Sequence, residues 1–368
     1  MPTVLQACVV LTANASISGG DSPLRILPPP NHARAVLGFF PGAYSSIAPW
    51  KLVFRRVNVS GMKAIRIHSL GAPDVLQLEE TPRPEPDDNE ILIHVKAASV
   101  NPVDYKIRSG EFKKGEIKLP TTLGRDVAGV VESVGRNVSS LKPGDEVYAF
   151  LGSKSGGYAQ YAVAEQNEVS KKPDTLDFVE AAAVPLAAET AWQALFDHGN
   201  LQPGERVLIH GAADGVDHFA VQFAKAKGAT VIATASKEDL HFVDELGADQ
   251  VIDYKAQAFE KIVHDVDLVV DLVGGETQKK SWAVLKDGGR MVSTLEPPSK
   301  EEAARKHAKA VVFMAEAKAE QLEAIARLIT DAKVTVVVSK VLPLGEAKEA
   351  HEKLENEHSQ GKLVLSVD

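Results

Sequence analysis

Short β-branched runs separated by turn-forming residues occupy the chain from Met62 to about Val184. Met62 to Ile67, Ile91 to Val95 and Ala128 to Glu132 read as strands, and Lys142-Pro143-Gly144-Asp145 reads as a turn ahead of a strand over 146–150. From about Pro185 the pattern changes. Apolar strands over 206–210, 230–234, 250–253, 267–271 and 290–293 alternate with helices over 218–227 and 237–246. Such alternation predicts a parallel, doubly wound sheet with helices on its faces. A helix near 318–332 follows, and the chain closes with a helix over 345–357 and a strand over 362–367 that is expected to return to the β-rich half. The expected fold is therefore α/β: residues 62–184 and 335–368 form a β-rich domain and residues 185–334 a Rossmann domain.

Residues 1–61 stand apart, with Pro28-Pro29-Pro30, many small residues and Asp21 as the sole acid. Arginine and serine with few acids, beside the short apolar run Val4 to Leu11, suit an organelle transit peptide. The first cation is Arg25, so the charged start of a secretory signal is missing. A disordered tail, or a start codon placed upstream of Met62, accounts for the same composition. The expected location is cytoplasmic, or an organelle if residues 1–61 are a transit peptide.

Composition narrows the partners. The 368 residues are 44% hydrophobic and 25% charged, as in ordinary globular proteins, and the formal charge of -9 disfavours nucleic acid or an anionic membrane as the main partner. No run approaches the roughly 20 apolar residues of a membrane-spanning helix. Cys8 is the single cysteine, so one chain forms neither an internal disulfide nor a multi-thiolate metal site, and the 11 histidines lack the paired spacings of a zinc ligand set. No metal is expected.

The strongest local signal is the strand Arg206 to His210, then Gly211-Ala212-Ala213-Asp214-Gly215-Val216-Asp217, then an apolar helix from His218. A glycine-rich turn between strand and helix normally holds a dinucleotide pyrophosphate against free helix N–H groups. Here Ala212, Asp214 and Asp217 stand in the glycine slots of the usual spacing, and only the intervening Gly215 is glycine. Beyond the loop, Ala98-Ser99-Val100-Asn101-Pro102-Val103-Asp104-Tyr105-Lys106-Ile107-Arg108-Ser109-Gly110, Leu123-Gly124-Arg125-Asp126-Val127-Ala128-Gly129, Thr190-Ala191-Trp192-Gln193-Ala194-Leu195 and Leu246-Gly247-Ala248-Asp249 follow in order. With these motifs the chain from Met62 resembles the zinc-independent quinone oxidoreductase and enone reductase branch of the medium-chain dehydrogenase/reductase superfamily.

The resemblance implies a GroES-like catalytic domain joined to an NADP-binding Rossmann domain. In zinc-dependent relatives, ligands would fall at Asn101 and Arg125, so carbonyl polarisation here is left to hydrogen-bond donors or to a reactive substrate. Quinones and α,β-unsaturated carbonyls are such substrates. An NAD site usually has an acid about 20 residues past the loop. This chain has Thr234-Ala235-Ser236-Lys237 there, a hydroxyl and a cation that suit the 2′-phosphate of NADPH, although Ser236 would equally cap the following helix. The resemblance adds Tyr254 to that subsite, Gly211, Ala212, Gly215 and Val216 to the pyrophosphate loop, and Lys106, Thr190, Gly274 and Leu295 to the nicotinamide side. Asn101 and Tyr105 are the expected substrate neighbours. No general acid stands out, which leaves solvent as the proton source. A homodimer is the family's common assembly.

Asp214 and Asp217 set the expectation against itself. Two like charges about 4 Å apart repel by roughly 4 kcal/mol at an effective dielectric near 20, nearly a thousandfold in affinity. Aspartate is favourable at a helix N-terminus, so one of the two is expected to act as a resident anion in place of the cofactor phosphate, weakening NADPH binding while preserving the fold. The alternative to an active reductase is a catalytically silent relative that serves as a binding or scaffolding module.

Overall fold

The computed structural model describes residues 61–112 and 117–367; the expectations for residues 1–60 lie outside them. Six parallel strands form one sheet, in the order Gln250–Asp253, Thr230–Ala235, Arg206–His210, Val266–Asp271, Leu285–Ser293 and Lys309–Val312. The strand order reverses at Arg206–His210, which leaves a crevice at the carboxyl ends of the strands on either side. This is the doubly wound sheet expected from the alternating pattern. The helix expected over 237–246 is interrupted. A 3-10 turn, Lys237–Asp239, precedes the α-helix Leu240–Glu245, and Asp239 is turned back toward Ser236 by a side-chain hydrogen bond.

The β-rich half builds a second sheet around Glu90–Val100, which pairs with Asp126–Val134, with Tyr161–Glu165 and with the final strand Lys362–Ser366. The last strand thus returns to this sheet, antiparallel, with Leu363 opposite Val100 and Leu365 opposite Ala98. A small third sheet joins Gln77–Pro82, Gly61–Ile67 and Thr121–Thr122. Among the described residues no helix is long and apolar enough to cross a membrane.

The final strand serves both cores because alternate side chains leave opposite faces of a strand. Val364 packs in the cluster that holds Ile209, Phe219 and Val270 of the parallel sheet, whereas Leu363 and Leu365 pack with Ile93, Val127 and Val147 of the β-rich half. Each fully buried aliphatic side chain of this kind contributes roughly 1.5–3 kcal/mol.

A buried polar cluster lies where the two cores meet. Asp126 is fully buried, and its carboxylate accepts from Ser99 Oγ at 2.7 Å, Asn101 Nδ2 at 2.8 Å and Leu186 N at 2.7 Å. Lys362 Nζ stands 4.0 Å from the same carboxylate and donates to Asn101 Oδ1 and to Val100 O. Burial pushes the Asp126 carboxyl up and the Lys362 ammonium down, and each opposes the other's shift. Removing one partner of such a pair strands a buried charge and costs about 3–5 kcal/mol, whereas replacing both is far milder. Lys362→Met is therefore expected to lower unfolding stability by about that amount in urea denaturation, and Asp126→Asn in the same chain to recover most of it.

Candidate functional site

The loop after Arg206–His210 turns at Gly211, whose φ of +74° lies in the left-handed region that glycine adopts without strain. Its start is tied to the neighbouring strand, since Gly211 N donates to Thr234 Oγ1 and Ala212 N to Thr234 O at 3.0 Å. The loop then feeds the helix Asp217–Lys227. A pocket of about 370 Å3 sits there, with Gly211, Thr234, Ser236, Tyr254 and Lys280 on its walls and His358 at its edge. His210 forms part of the lining. Burial pushes this imidazole down to about 4, and its two nitrogens lie 3.1 Å from Thr234 Oγ1 and 2.8 Å from Ser281 Oγ.

The two aspartates of the loop have different environments. Asp217 is 4% exposed, its Oδ1 has no hydrogen-bond partner among the described residues, and burial, reinforced by Asp214, pushes the carboxyl well above its ordinary value. A carboxyl in that position favours the neutral acid. Of the two aspartates, between which the sequence left the role of resident anion open, Asp217 is the less suited to it. Asp214 stays exposed at the pocket rim, where its Oδ1 lies 3.1 Å from His358 Nδ1. His218, which follows Asp217, is buried with Nε2 unpaired among the described residues, and burial holds it down at about 4.

At the end of the second strand Ser236 is buried and donates to Asp239 Oδ2 at 2.5 Å. Asp239 also accepts from Gln360 Nε2 at 2.9 Å and contacts His358 Nε2 at 2.7 Å. Burial alone would raise this carboxyl, but the bonds from Ser236, Gln360 and His358 outweigh it and hold it below the ordinary range. Tyr254 is exposed and lines the pocket; Lys237 is exposed and does not. The cation on the pocket wall is Lys280, 3.5 Å from Glu260.

The other sequence-selected residues fall in separate places. Gly215 lies over the stem of Lys362, where an added Cβ would come within 2.8 Å of Cδ, and Val216 precedes the helix. Gly274, at φ +75°, donates to Asp271 Oδ1 at 2.8 Å and neighbours the half-exposed Leu295. Thr190 is buried and donates to Leu186 O at 2.6 Å. Asn101 is buried with both ends of its amide committed to Asp126 and Lys362. Tyr105 is half-buried, and burial, helped by Glu111 and Glu355, raises its hydroxyl. Lys106 is half-buried and makes no ion pair among the described residues.

Asp239, Lys280, His358 and Lys362 were missed by the sequence reading. Lys362 had a local signal, a cation at the start of a largely apolar strand. His358 had none. In its donors the crevice suits a phosphate-bearing ligand: a glycine turn and the hydroxyls of Thr234, Ser236 and Tyr254 line it. Its charge is less favourable, because Asp214, Asp239, Glu260 and Glu276 all line the pocket. Among the described residues no three or more His, Cys, Asp and Glu side chains are gathered as a metal site.

Asp217 has a direct signature in stability. Its folded pKa is raised above the unfolded value, so the proton it carries stabilises the fold at low pH, and that contribution is lost as pH rises from about 4 through the folded pKa. Across that window the melting temperature of the unmodified chain is expected to fall relative to that of Asp217→Asn, which cannot titrate. Parallel curves over the whole range would contradict a neutral buried acid.

Residues 87–174 match the family model described as alcohol dehydrogenase GroES-like domain, and residues 246–365 the model described as zinc-binding dehydrogenase. A 2-methylene-furan-3-one reductase of Solanum lycopersicum is 37% identical over 322 residues, covering 83% of this chain and 79% of the relative. An NADPH-dependent alkenal/one oxidoreductase, chloroplastic, of Arabidopsis thaliana is 37% identical over 319 residues, with the same coverage of 83% and 79%. The solved quinone oxidoreductase of Coxiella burnetii superposes with a TM-score of 0.79 at 40% identity, covering 84% of this chain and 100% of that one. With the GroES-like sheet, the doubly wound parallel sheet and these relatives together, the chain belongs to the quinone oxidoreductase branch of the medium-chain dehydrogenase/reductase superfamily, a family of oxidoreductases.

Proposed function

We propose that the chain is an NADPH-dependent reductase of quinones or α,β-unsaturated carbonyls. The observation that carries this reading is the pocket at the strand ends, where Gly211, Ser236 and Tyr254 converge. The reduced nicotinamide, when bound, supplies hydride to the conjugated acceptor. Gly211, Ala212, Gly215 and Val216 offer backbone to the pyrophosphate, and Ser236, Lys237 and Tyr254 are assigned to the 2′-phosphate, with Lys280 as an added cation. Lys106, Thr190, Gly274 and Leu295 are assigned to the nicotinamide side, and Tyr105 to the substrate. Asn101 holds Lys362 and Asp126 in register beneath the loop, and so acts on the substrate region through the fold. Proton delivery is left to solvent, since no side chain is assigned as the general acid.

The carboxyls of Asp214 and Asp217 favour the second reading, a binding module without turnover, because both occupy glycine slots of the loop. The purified full chain is expected to oxidise NADPH when offered a quinone and an enone panel. Asp214→Gly with Asp217→Gly is expected to tighten NADPH at least about tenfold in a coenzyme fluorescence titration, because repulsion and side-chain bulk are removed together. Absent turnover together with absent binding in both proteins would favour the module.

Assembly as a homodimer belongs to the same proposal. The outer strand Lys309–Val312 pairs on one side only among the described residues, with Val312 and Met314 exposed beside it. Light scattering after size exclusion is expected to give twice the chain mass. Val312→Pro, which disrupts edge pairing, is expected to shift it toward the monomer.

A further inference from the structure

The segment Glu357 to Gly361, between the helix Ala347–Asn356 and the last strand, crosses to the cofactor loop. Gly361 N donates to Ala213 O at 3.1 Å, and its φ of +76° admits little but glycine; an added Cβ would also strike Val337 O at 2.3 Å. Fixed at this point, the segment carries His358 between two carboxylates. Nδ1 is 3.1 Å from Asp214 Oδ1 and Nε2 is 2.7 Å from Asp239 Oδ2. The Asp239 contact is a hydrogen bond and the Asp214 contact an ion-pair distance, so a ring carrying both N–H groups would stand between the two carboxyls.

The remaining charges of the pocket are matched elsewhere. Lys280 faces Glu260, and Glu276 is paired with Lys279 at 2.6 Å. Among the described residues, His358 is the one side chain able to carry positive charge within ion-pair distance of Asp214 or Asp239. Asp214 is on the loop assigned to the pyrophosphate, and Asp239 accepts the Ser236 hydroxyl assigned to the 2′-phosphate. Without a cation between them, both ends of the phosphate path would carry an uncompensated negative charge.

We propose that His358 is a specificity-determining residue: placed between Asp214 and Asp239, its protonated ring offsets one of the two negative charges that would otherwise repel the coenzyme's 2′-phosphate, and so lets this acidic pocket accept NADPH. The inference rests on the dinucleotide reading of the pocket but not on turnover of any acceptor. A strap with a merely structural role would affect NADH and NADPH alike. A charge-compensating role acts mainly on the coenzyme with the extra phosphate.

The test is a fluorescence titration of NADPH and NADH into the full chain, with calorimetry of adenosine 2′,5′-bisphosphate and AMP as readouts that need no nicotinamide. His358→Ala and His358→Gln are expected to weaken NADPH by about tenfold and NADH by far less. His358→Arg, which keeps the charge, is expected to retain the preference, and Asp214→Gly added to His358→Ala to restore part of it. Circular dichroism and melting temperature verify that each variant is folded. If the unmodified chain binds both coenzymes and His358→Ala leaves their affinity ratio unchanged, the inference fails while the dinucleotide site stands. If the unmodified chain binds neither coenzyme, both readings fail together.

Discussion

The Asp126–Lys362 pair is the constraint on which the arrangement depends. A carboxylate and an ammonium removed from water are each costly, and they persist here because every polar atom around them is used. Ser99 and Asn101 bring the long strand of the β-rich sheet, Leu186 brings the helix that follows that half, and Lys362 brings the chain's final strand. Because the Lys362 stem also lies under Gly215, the cluster limits how closely the loop after Arg206–His210 can settle on it. A residue near the end of the sequence thus positions a loop almost 150 positions earlier.

The same end of the chain governs the charge of the site. The final strand presents Val364 to one core and Leu363 and Leu365 to the other, so the segment just before it has little freedom. Asp214 and Asp217 occupy neighbouring slots in one motif, yet one is half-solvated beside an imidazole and the other is sealed without a donor for Oδ1. The difference comes from the helical step. Asp217 is the first residue of the helix and faces inward beneath Gly211, whereas Asp214 stands in the preceding turn and faces out. One motif therefore yields a sealed carboxyl whose pKa burial raises and an exposed, partnered one.

Much of the fold was legible because its signals are local. The alternation after Pro185 gave five of the six strands of the parallel sheet, all but Lys309–Val312, and the glycine turn was found where strand meets helix. The single cysteine by itself rules out a multi-thiolate metal site within one chain. The broken helix at 237–246 was not legible, since its interruption depends on Asp239 being drawn toward Ser236, Gln360 and His358. Short strands such as Tyr161–Glu165 and Val169–Lys171 were missed for a related reason: they are held by pairing with distant strands, and their own alternation is too brief to stand out.

The sequence by itself determined the fold class, the family and the position of the glycine turn beside the strand-end pocket, because strand and helix periodicity and glycine turn chemistry act over a few residues. Only the tertiary structure decided the electrostatics of that loop. Whether Asp217 is charged depends on burial, and whether Asp214 is compensated depends on His358, 144 positions further along the chain. Desolvation and ion pairing are properties of what folds around a side chain, and no spacing within a motif encodes them.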